Sequence, residues 1–363
     1  MVRGDSFACM TTAAPRYLIL ADGQFGPRTS KTANGCILFT PHQVVGVLDA
    51  TQAGRTAEDV LGYGGSIPVV GTIAEGLALR PTVLLIGIAP SGGRLPAHWH
   101  AMLAEAIEGG LSVWSGLHTF IGDDPVLAGL AARHGVEIRD VRRPPATLPV
   151  STGRVRDVAA TVVLTVGSDC NIGKMTAALR VRDDLVRRGV KVAFAGTGQT
   201  GIFIDGKGIA VDAVVADFIG GAAEQLVLDA AQDADIVLVE GQGSVIHPGY
   251  SGVTYGLLHG SLPHALVLCT QPSRTTITHN PWVPIPPLRD LIALHDAVTR
   301  PLRHAPTIAV AMNTADLAVA AARDAIEAGM AETRLPVTDP VRFDPAPIAD
   351  AILRFHEARL AAR

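Results

Sequence analysis

The chain is poor in aromatic residues, in charged residues and in cysteine. Phe, Trp and Tyr make up 4% of its 363 residues, and Asp, Glu, Lys and Arg together make up 18%. Hydrophobic residues, by contrast, reach 48%, and glycine occurs 38 times. This composition excludes a disordered tail of any size and is typical of a well-buried α/β protein with many tight turns between strands and helices.

The four cysteines, Cys9, Cys36, Cys170 and Cys269, are scattered and form no CxxC pair. Their spacing argues against a zinc site and against a disulfide framework, and it favours a reducing compartment, so we expect a cytoplasmic protein. No apolar run approaches the length of a membrane span, and the first fifteen residues lack the apolar core of a signal peptide. We interpret residues 1–16 as a flexible extension.

The net charge is −4, and no basic stripe is present. This charge distribution excludes nucleic acid as a main partner, because phosphate backbones need clustered Lys and Arg. We expect small-molecule substrates, no membrane partner and a homo-oligomeric protein.

Short apolar runs bounded by Gly and Pro alternate with helix-like stretches along the whole chain. Such runs are typical of parallel strands that are buried on both faces. Strands are predicted at 17–21, 36–39, 44–49, 67–71, 82–89, 111–116, 161–166, 191–196, 235–241, 264–270 and 307–313. Helices are predicted at 96–108, at 126–134 with Asp124 and Pro125 as its start signal, from the loop at 167–174 to about 188, and at 221–232, 288–298, 316–328 and 346–361.

The proline-rich segment 142–149 interrupts this alternation, so we place a domain boundary there. The predicted fold class is α/β, with two doubly wound parallel-sheet domains. The first, at 17–145, is Rossmann-like, and the second, at 146–363, is P-loop NTPase-like. Ligands of such sheets bind at the carboxyl ends of the strands.

The most informative motif is a glycine-rich loop between the apolar run 161–166 and a helix. It reads Gly167-Ser168-Asp169-Cys170-Asn171-Ile172-Gly173-Lys174 and continues with Met175-Thr176. Backbone N–H groups, the positive end of the helix dipole and Lys174 would all face an anion, so residues 167–176 are predicted to bind a phosphate-bearing ligand. The usual pattern places Ser or Thr directly after the lysine to bind Mg²⁺, whereas here the hydroxyl comes one residue late, at Thr176.

Two residues near the carboxyl ends of the later strands are candidates for acid–base chemistry. Glu240 ends a buried strand, where P-loop proteins keep a carboxylate that faces the metal, and it could equally act as a general base. His247 lies in the polar, irregular stretch 244–254 and is the second candidate.

Other polar residues at strand or loop ends are predicted to bind the substrate. Cations would pair with substrate carboxylates, and amides and hydroxyls would supply hydrogen bonds. The segment 91–94 could also form an anion-binding nest. The predicted substrate-binding residues are Lys31, Arg94, Gln199, Thr200, Gln242, Ser244 and Arg274.

Taken together, these motifs resemble the D-glutamate N-acetyltransferase family, which is also described as a domain of unknown function with a C-terminal P-loop domain. The resemblance covers the chain from about Tyr17 onward. It is carried by the segments 31–33, 88–96, 116–125, 167–176, 199–201, 239–244 and 247–248. Met175-Thr176 after the loop lysine looks like a trait of that family.

The resemblance implies that the protein transfers an acetyl group from acetyl-CoA to the amine of D-glutamate or a related amino acid, in D-amino-acid catabolism. The loop would then hold the phosphates of CoA, and Glu240 or His247 would be the base. An alternative is an ATP-dependent ligase or kinase resembling dethiobiotin synthetase, with Lys174 on the phosphates and with Thr176 and Glu240 on Mg²⁺. A second alternative is a non-enzymatic nucleotide-binding sensor.

Overall fold

The structure is a computed structural model that describes residues 14–90 and 93–362. The predicted extension at 1–16 therefore falls mostly outside the described residues. The chain divides into two compact units, with the change from the first to the second between Asp140 and Val141. The predicted boundary at 145 lies a few residues further along.

The first unit is built on a six-stranded parallel sheet with helices between the strands. Its elements are β1 (Tyr17–Leu20), α1 (Lys31–Phe39), β2 (Val44–Leu48), α2 (Ala57–Leu61), β3 (Val69–Val70), α3 (Ile73–Ala78), β4 (Val83–Ile86), α4 (Trp99–Glu108), β5 (Ser112–Ser115), α5 (Pro125–His134) and β6 (Ile138–Asp140). The strand order is β3-β2-β1-β4-β5-β6, and every pairing is parallel. This is the strand order of a Rossmann fold, so the predicted class of the first domain is confirmed.

Sequence signals at α5 act as predicted. The Asp124 carboxylate accepts hydrogen bonds from the N–H groups of Val126 and Leu127 at 2.9 and 3.0 Å, and Pro125 occupies the first helical position. Gly135 ends the helix with a left-handed φ of 66°. A capping aspartate followed by proline therefore fixes where this helix begins.

The strand predicted at 36–39 is wrong, because these residues form the last turn of α1. Cys36 and Ile37 are buried, and Ala33 on the same helix donates its N–H to the carbonyl of Gly87 at 2.9 Å, just beyond β4. A four-residue apolar run on a buried helix has no period that distinguishes it from a buried strand.

The second unit contains another six-stranded parallel sheet. Its elements are β7 (Thr161–Gly167), α6 (Lys174–Arg187), β8 (Val192–Ala195), α7 (Gln199–Asp205), α8 (Ala216–Ala230), β9 (Ile236–Val239), α9 (Ser251–Ser261), β10 (Ala265–Thr270), β11 (Thr276–Ile277), β12 (Asn280–Pro284), α10 (Leu288–Thr299), β13 (Thr307–Met312), α11 (Val319–Thr333), β14 (Val337–Thr338) and α12 (Ala346–Ala361). The sheet order is β14-β13-β10-β7-β9-β8, and β11 and β12 form a separate antiparallel hairpin.

Strand β7 lies inside this sheet and is buried on both faces. Val162, Leu164 and Val166 belong to the hydrophobic core on one face, and Val163 belongs to the core on the other. This alternation follows from the two-residue period of a strand. The carboxyl end of β7 is thereby held rigidly next to the ends of β9 and β10.

Four elements of the second unit were not predicted: α7, α9, the β11–β12 hairpin and β14. Helix α9 starts at Ser251, inside the stretch predicted to be irregular. Its glycines weaken a helix prediction but let α8 approach closely, because a Cβ on Gly260 would lie 2.1 Å from the carbonyl oxygen of Gly220. Helix α8 also begins earlier than predicted, at Ala216, whereas α12 has the predicted bounds.

Across residues 14–90 and 93–362, no helix combines the length and the apolar character needed to cross a membrane.

Candidate functional site

The glycine-rich loop connects β7 to the start of α6, as predicted. Asn171 and Gly173 both adopt left-handed φ angles, of 52° and 102°. Gly167 leaves room for the loop to fold back, since a Cβ there would lie 2.7 Å from Cδ1 of Ile172. Lys174 is buried, and its ammonium donates to the carbonyl of Asp169 at 2.6 Å. The lysine thus lies across the loop at the positive end of a helix of 14 residues.

The carboxylate of Asp169 connects this loop to other segments by hydrogen bonds. Its Oδ1 accepts from the Cys170 N–H at 2.7 Å. Its Oδ2 accepts from Arg274 Nη1 at 2.8 Å and from both the N–H and the hydroxyl of Thr278 at 2.9 Å. Burial raises the pKa of this carboxyl, but the hydrogen bonds from Thr278, Arg274 and Cys170 outweigh burial and leave the pKa below its ordinary value. Asp169 is therefore an anion that ties the phosphate loop to the β11–β12 hairpin.

Arg274, predicted to bind a substrate carboxylate, lies at this loop. Besides Asp169, its guanidinium donates to the carbonyl of Cys170 and to Oε1 of Gln271, each at 2.8 Å. The side chain retains 21% exposure. Its charge is largely compensated by Asp169, and its contact with substrate stays a prediction.

Glu240 follows the last residue of β9, and its carboxylate contacts residues that follow β8. It therefore lies at the carboxyl edge of the sheet, as predicted. Its Oε2 accepts hydrogen bonds from the N–H groups of Thr197 and Gly198 at 3.0 and 3.1 Å, directly before α7. The Thr197 hydroxyl donates to the Glu240 carbonyl at 2.8 Å. A Cβ on Gly201 would lie 2.4 Å from Oε2, so glycine is needed there to leave room for the carboxylate. The residue thus acts as an anion at a helix start.

The residues after Glu240 are fixed by the neighbouring strand. Gly241 donates its N–H to the Thr165 hydroxyl at 2.9 Å, and a Cβ on Gly241 would lie 1.6 Å from the Thr165 carbonyl oxygen. Gln242 donates through its amide to the carbonyl and to the hydroxyl of Thr197. These contacts explain why a glycine must follow the acidic residue here.

Ser244, another predicted substrate ligand, reaches the phosphate loop itself. Its hydroxyl donates to the Ser168 carbonyl at 3.2 Å, and the Ser168 hydroxyl donates to the Thr270 hydroxyl at 3.3 Å. The ends of β7, β9 and β10 therefore meet at one edge, where ligands of such sheets bind.

His247 also packs against this loop, with 5% of its side chain exposed. Its Nδ1 accepts the N–H of Gly249 at 3.0 Å, and its ring centroid lies 4.6 Å from that of Tyr250. Because Nδ1 is an acceptor, this contact assigns the proton of the neutral ring to Nε2. Nε2 faces Oδ1 of Asp169 at 4.0 Å. In this arrangement His247 presents an N–H donor to the loop.

Asp169, Cys170 and His247 place one potential metal-ligand atom each within 4.8 Å of one another. A metal-binding imidazole offers a lone pair from one nitrogen and usually donates an N–H from the other. Here Nδ1 of His247 accepts, so Nε2 carries the proton and has no lone pair for an ion. Arg274 already holds the Asp169 carboxylate. As arranged, these three residues do not fit a metal ion.

Gln199 and Thr200 begin α7, beside Glu240. Gln199 Oε1 accepts from Arg142 Nη2 at 2.7 Å, and Arg142 also pairs with Asp212. Thr200 is buried. Sequence reasoning missed Arg142, because the proline-rich segment that contains it carries no ligand motif.

The remaining predicted ligands, Lys31 and Arg94, belong to the first unit. Lys31 is the first residue of α1, and Arg94 follows Gly93, which has a left-handed φ of 62°. Ser91 and Gly92, the start of the predicted anion nest, lie outside the described residues.

Family comparisons match both units. The model described as the P-loop domain of DUF1611, a domain of unknown function, matches residues 149–349. The model described as the Rossmann-like N-terminal domain of DUF1611 matches residues 50–144. The P-loop class predicted for the second domain is thereby confirmed.

Two similar proteins carry the name D-glutamate N-acetyltransferase. The chain is 38% identical over 283 residues to the protein of Tritonibacter scottomollicae, covering 77% of this chain and 84% of that protein. It is 35% identical over 274 residues to the protein of a Pseudoalteromonas species, covering 75% and 81%. A crystal structure of a DUF1611 family protein from Anabaena variabilis, 38% identical, superimposes with a TM-score of 0.89 over 94% of this chain and 99% of that one.

Proposed function

This chain belongs to the DUF1611 family and is an acyltransferase of the N-acetyl class, and we propose that it transfers the acetyl group of acetyl-CoA to the amine of D-glutamate. The names of two relatives above 30% identity support the acceptor. We also propose that the reaction takes place in the cytoplasm, in D-amino-acid catabolism.

The observation that carries the proposed donor is the phosphate loop. The buried Lys174 and the start of α6 form an anion-binding end. Coenzyme A carries a pyrophosphate and a 3′-phosphate, which such a loop can bind without hydrolysing them. Met175, which occupies the usual place of the Mg²⁺-binding hydroxyl, is buried in the core. A loop that binds phosphate without a metal-binding hydroxyl after its lysine is better suited to binding CoA than to hydrolysing a nucleotide.

The reaction needs a neutral amine, an acceptor for its proton and donors for the oxyanion. The amine nitrogen attacks the thioester carbon, the C–S bond breaks, the acetyl group becomes an amide, and the CoA thiolate takes up a proton. Donors placed at the carbonyl oxygen stabilise the tetrahedral intermediate. Arg274 stays a predicted partner of an acceptor carboxylate.

The position of the predicted base residues sets a condition on the bound donor. Glu240 and His247 lie at the phosphate loop. The thioester of CoA, in contrast, lies on the order of 15 Å from the pyrophosphate when the pantetheine arm is extended, if that arm spans as much as an extended peptide of similar length. Glu240 can take the amine proton only if the pantetheine arm folds back to the loop. His247 would in addition need its proton moved from Nε2 to Nδ1, which would break the hydrogen bond from Gly249. With the arm extended, both act as positioning residues, with Glu240 holding the start of α7 and His247 facing Asp169.

The experiment is a thiol-release assay with the full chain, acetyl-CoA and a panel of D- and L-amino acids, with ATP hydrolysis measured in parallel. We expect thiol release with D-glutamate and background release with L-glutamate. ATP turnover without thiol release would contradict the proposal and favour the ligase or kinase.

The role of the loop is tested by Lys174→Ala. Removing one charge-assisted phosphate contact should weaken CoA binding about tenfold or more in calorimetry. Lys191→Ala is the matched control, because Lys191 is exposed and lies outside the loop. Equal CoA affinity in the two variants would show that the loop does not hold the donor.

A further inference from the structure

Arg142 is a buried cation at the start of the second unit, and the proposed reaction assigns it no role. Its Nη1 pairs with the carboxylate of Asp212. Its Nη2 donates to Oε1 of Gln199 at 2.7 Å. The guanidinium therefore joins the proline-rich segment to the first residue of α7.

Stability does not account for this ion pair. Oδ1 of Asp212 is buried and has no hydrogen-bond partner within the part of the chain that the structure describes. A buried oxygen without a donor costs free energy of folding, and buried ion pairs can often be replaced by apolar residues without loss of stability. The contact with Gln199 is the part of this network that a function can explain.

The contact fixes the orientation of the Gln199 amide. A glutamine amide has one acceptor oxygen and one donor NH₂ group. Because a guanidinium can only donate, it holds Oε1 and turns Nε2 to the opposite side. Among the described residues, none accepts a hydrogen bond from this Nε2. Gln199 thus presents two N–H donors on the side away from Arg142.

Gln199 lies at the carboxyl edge of the sheet, beside Glu240. The Glu240 carboxylate accepts from the N–H groups of Thr197 and Gly198, the two residues before Gln199. Strand β9 lies between β8 and β7, so the start of α7 is about 10 Å from the phosphate loop, two strand spacings. An acceptor bound at this distance meets the thioester only if the pantetheine arm bends toward α7, which is also the condition that Glu240 sets.

We propose that Nε2 of Gln199 binds a carboxylate of the acceptor amino acid, and that Arg142 is the positioning residue that keeps the amide turned toward it. The inference rests on the proposed function, because it needs an amino acid as acceptor. A carboxylate accepts N–H bonds, whereas an amide turned the other way would face it with Oε1. The neighbouring Glu240 would attract the ammonium group of the same amino acid.

The carboxylate contact is tested by Gln199→Glu in the full chain, at saturating acetyl-CoA. The variant replaces the NH₂ group by an oxygen and gives Arg142 a second carboxylate, so it should fold. It should raise KM for D-glutamate at least about tenfold, with kcat and CoA affinity near wild type. Gln52→Glu is the matched control and should keep the wild-type KM, because Oε1 of Gln52 likewise accepts from Nη1 of Arg55 at 2.7 Å.

The positioning role is tested by Arg142→Gln, alone and combined with Gln199→Ala. Alone, Arg142→Gln should raise KM for D-glutamate about two- to tenfold, the cost of immobilising one side chain on binding. In the Gln199→Ala background it should leave KM unchanged, since Arg142 acts through the amide. Arg142→Lys, which keeps a cation beside Asp212, should restore part of the wild-type KM.

A Gln199→Glu variant with the KM of Gln52→Glu would overturn the inference, and this variant decides the carboxylate contact even if Arg142→Gln fails to fold. Equal factors for Arg142→Gln with and without the Gln199 amide would overturn the positioning role. Either result in a chain that acetylates D-glutamate would remove the inference alone. A wild-type chain that acetylates no amino acid would overturn the proposed function as well.

Discussion

Replacing Asp169 by Asn should loosen the phosphate loop and destabilise the second unit. The carboxylate is fully buried and accepts four hydrogen bonds, from Arg274, from Cys170 and twice from Thr278. An amide presents an NH₂ group in place of one oxygen, so at least one of these donors loses its acceptor. The ion pair with Arg274 is lost in either orientation.

The size of the effect follows from the burial of the pair. Removing one partner of a buried ion pair costs about 3–5 kcal/mol in the free energy of unfolding. Because Arg274 retains 21% exposure and can be solvated, we expect the lower end, about 3 kcal/mol. Arg274→Gln should cost a similar amount, because it leaves the buried carboxylate without its cation. The double variant should then cost about 1–2 kcal/mol less than the sum of the two single variants.

The assay is urea unfolding of the three variants, with hydrogen exchange measured on peptides from 161–176 and 276–284. The loss of protection should concentrate in these two segments, because Asp169 joins them. Asp324→Asn is the control, since the Asp324 side chain is exposed and makes no hydrogen bond or ion pair within the part of the chain that the structure describes. The control should stay within about 0.5 kcal/mol of wild type.

Two results would refute this reasoning. One is an Asp169→Asn variant as stable as the Asp324→Asn control. The other is strict additivity in the double variant, which would mean that Asp169 and Arg274 contribute independently.

Three further predictions concern the second unit and the cysteines. Gly241→Ala should prevent normal folding of the second unit, since its Cβ would lie 1.6 Å from the Thr165 carbonyl oxygen. Gly252→Ala is the control and should fold, because nothing lies within 4 Å of its Cβ. Circular dichroism compares the two variants, and a normally folded Gly241→Ala variant would contradict the contact between Gly241 and Thr165. Burial raises the pKa of Glu224, but hydrogen bonds from Ser151, Thr152 and Arg154 outweigh burial and lower it to about 2, so the stabilisation is present above the ordinary pKa and is lost as the pH falls through the folded value. Acid titration of unfolding should therefore show a smaller loss of stability in Glu224→Gln than in wild type, and equal losses would exclude Glu224 as a cause. Burial raises the pKa of Cys36 and of Cys269 to about 12, so neither should react with iodoacetamide in the native chain at neutral pH; peptide mapping that finds either one labelled would contradict their burial.

The sequence predicts most of the second sheet and its phosphate loop because their signals are local. A β-branched run, a glycine loop and a lysine at a helix start are all contiguous between 161 and 176. Asp124 and Pro125 likewise mark a helix start without any tertiary information. The run 36–39 was mispredicted for the opposite reason, since only its packing shows that it is helical.

The contacts that shape the site join residues far apart in the chain. Thr278 reaches Asp169 across more than a hundred residues, through a hairpin that has no strong strand signal. Arg274 was predicted to face the substrate because a lone arginine after a strand suggests a ligand, and its pairing with Asp169 is visible only in the fold. The hydrogen bond from the Gly249 N–H to Nδ1 of His247 is local by contrast, but it depends on a loop conformation that the residue types alone do not specify.

The most direct test of the central claim is to identify the product formed from acetyl-CoA that carries an isotopic label in its acetyl group. Mass spectrometry should find the labelled acetyl group on the nitrogen of D-glutamate. With subsaturating donor, the yield should be sharply lower with Lys174→Ala and unchanged with Lys191→Ala. Unlabelled D-glutamate after full incubation with the wild-type chain would contradict the proposed acetyl transfer. Undiminished labelling by Lys174→Ala would show that the phosphate loop does not bind the acetyl donor.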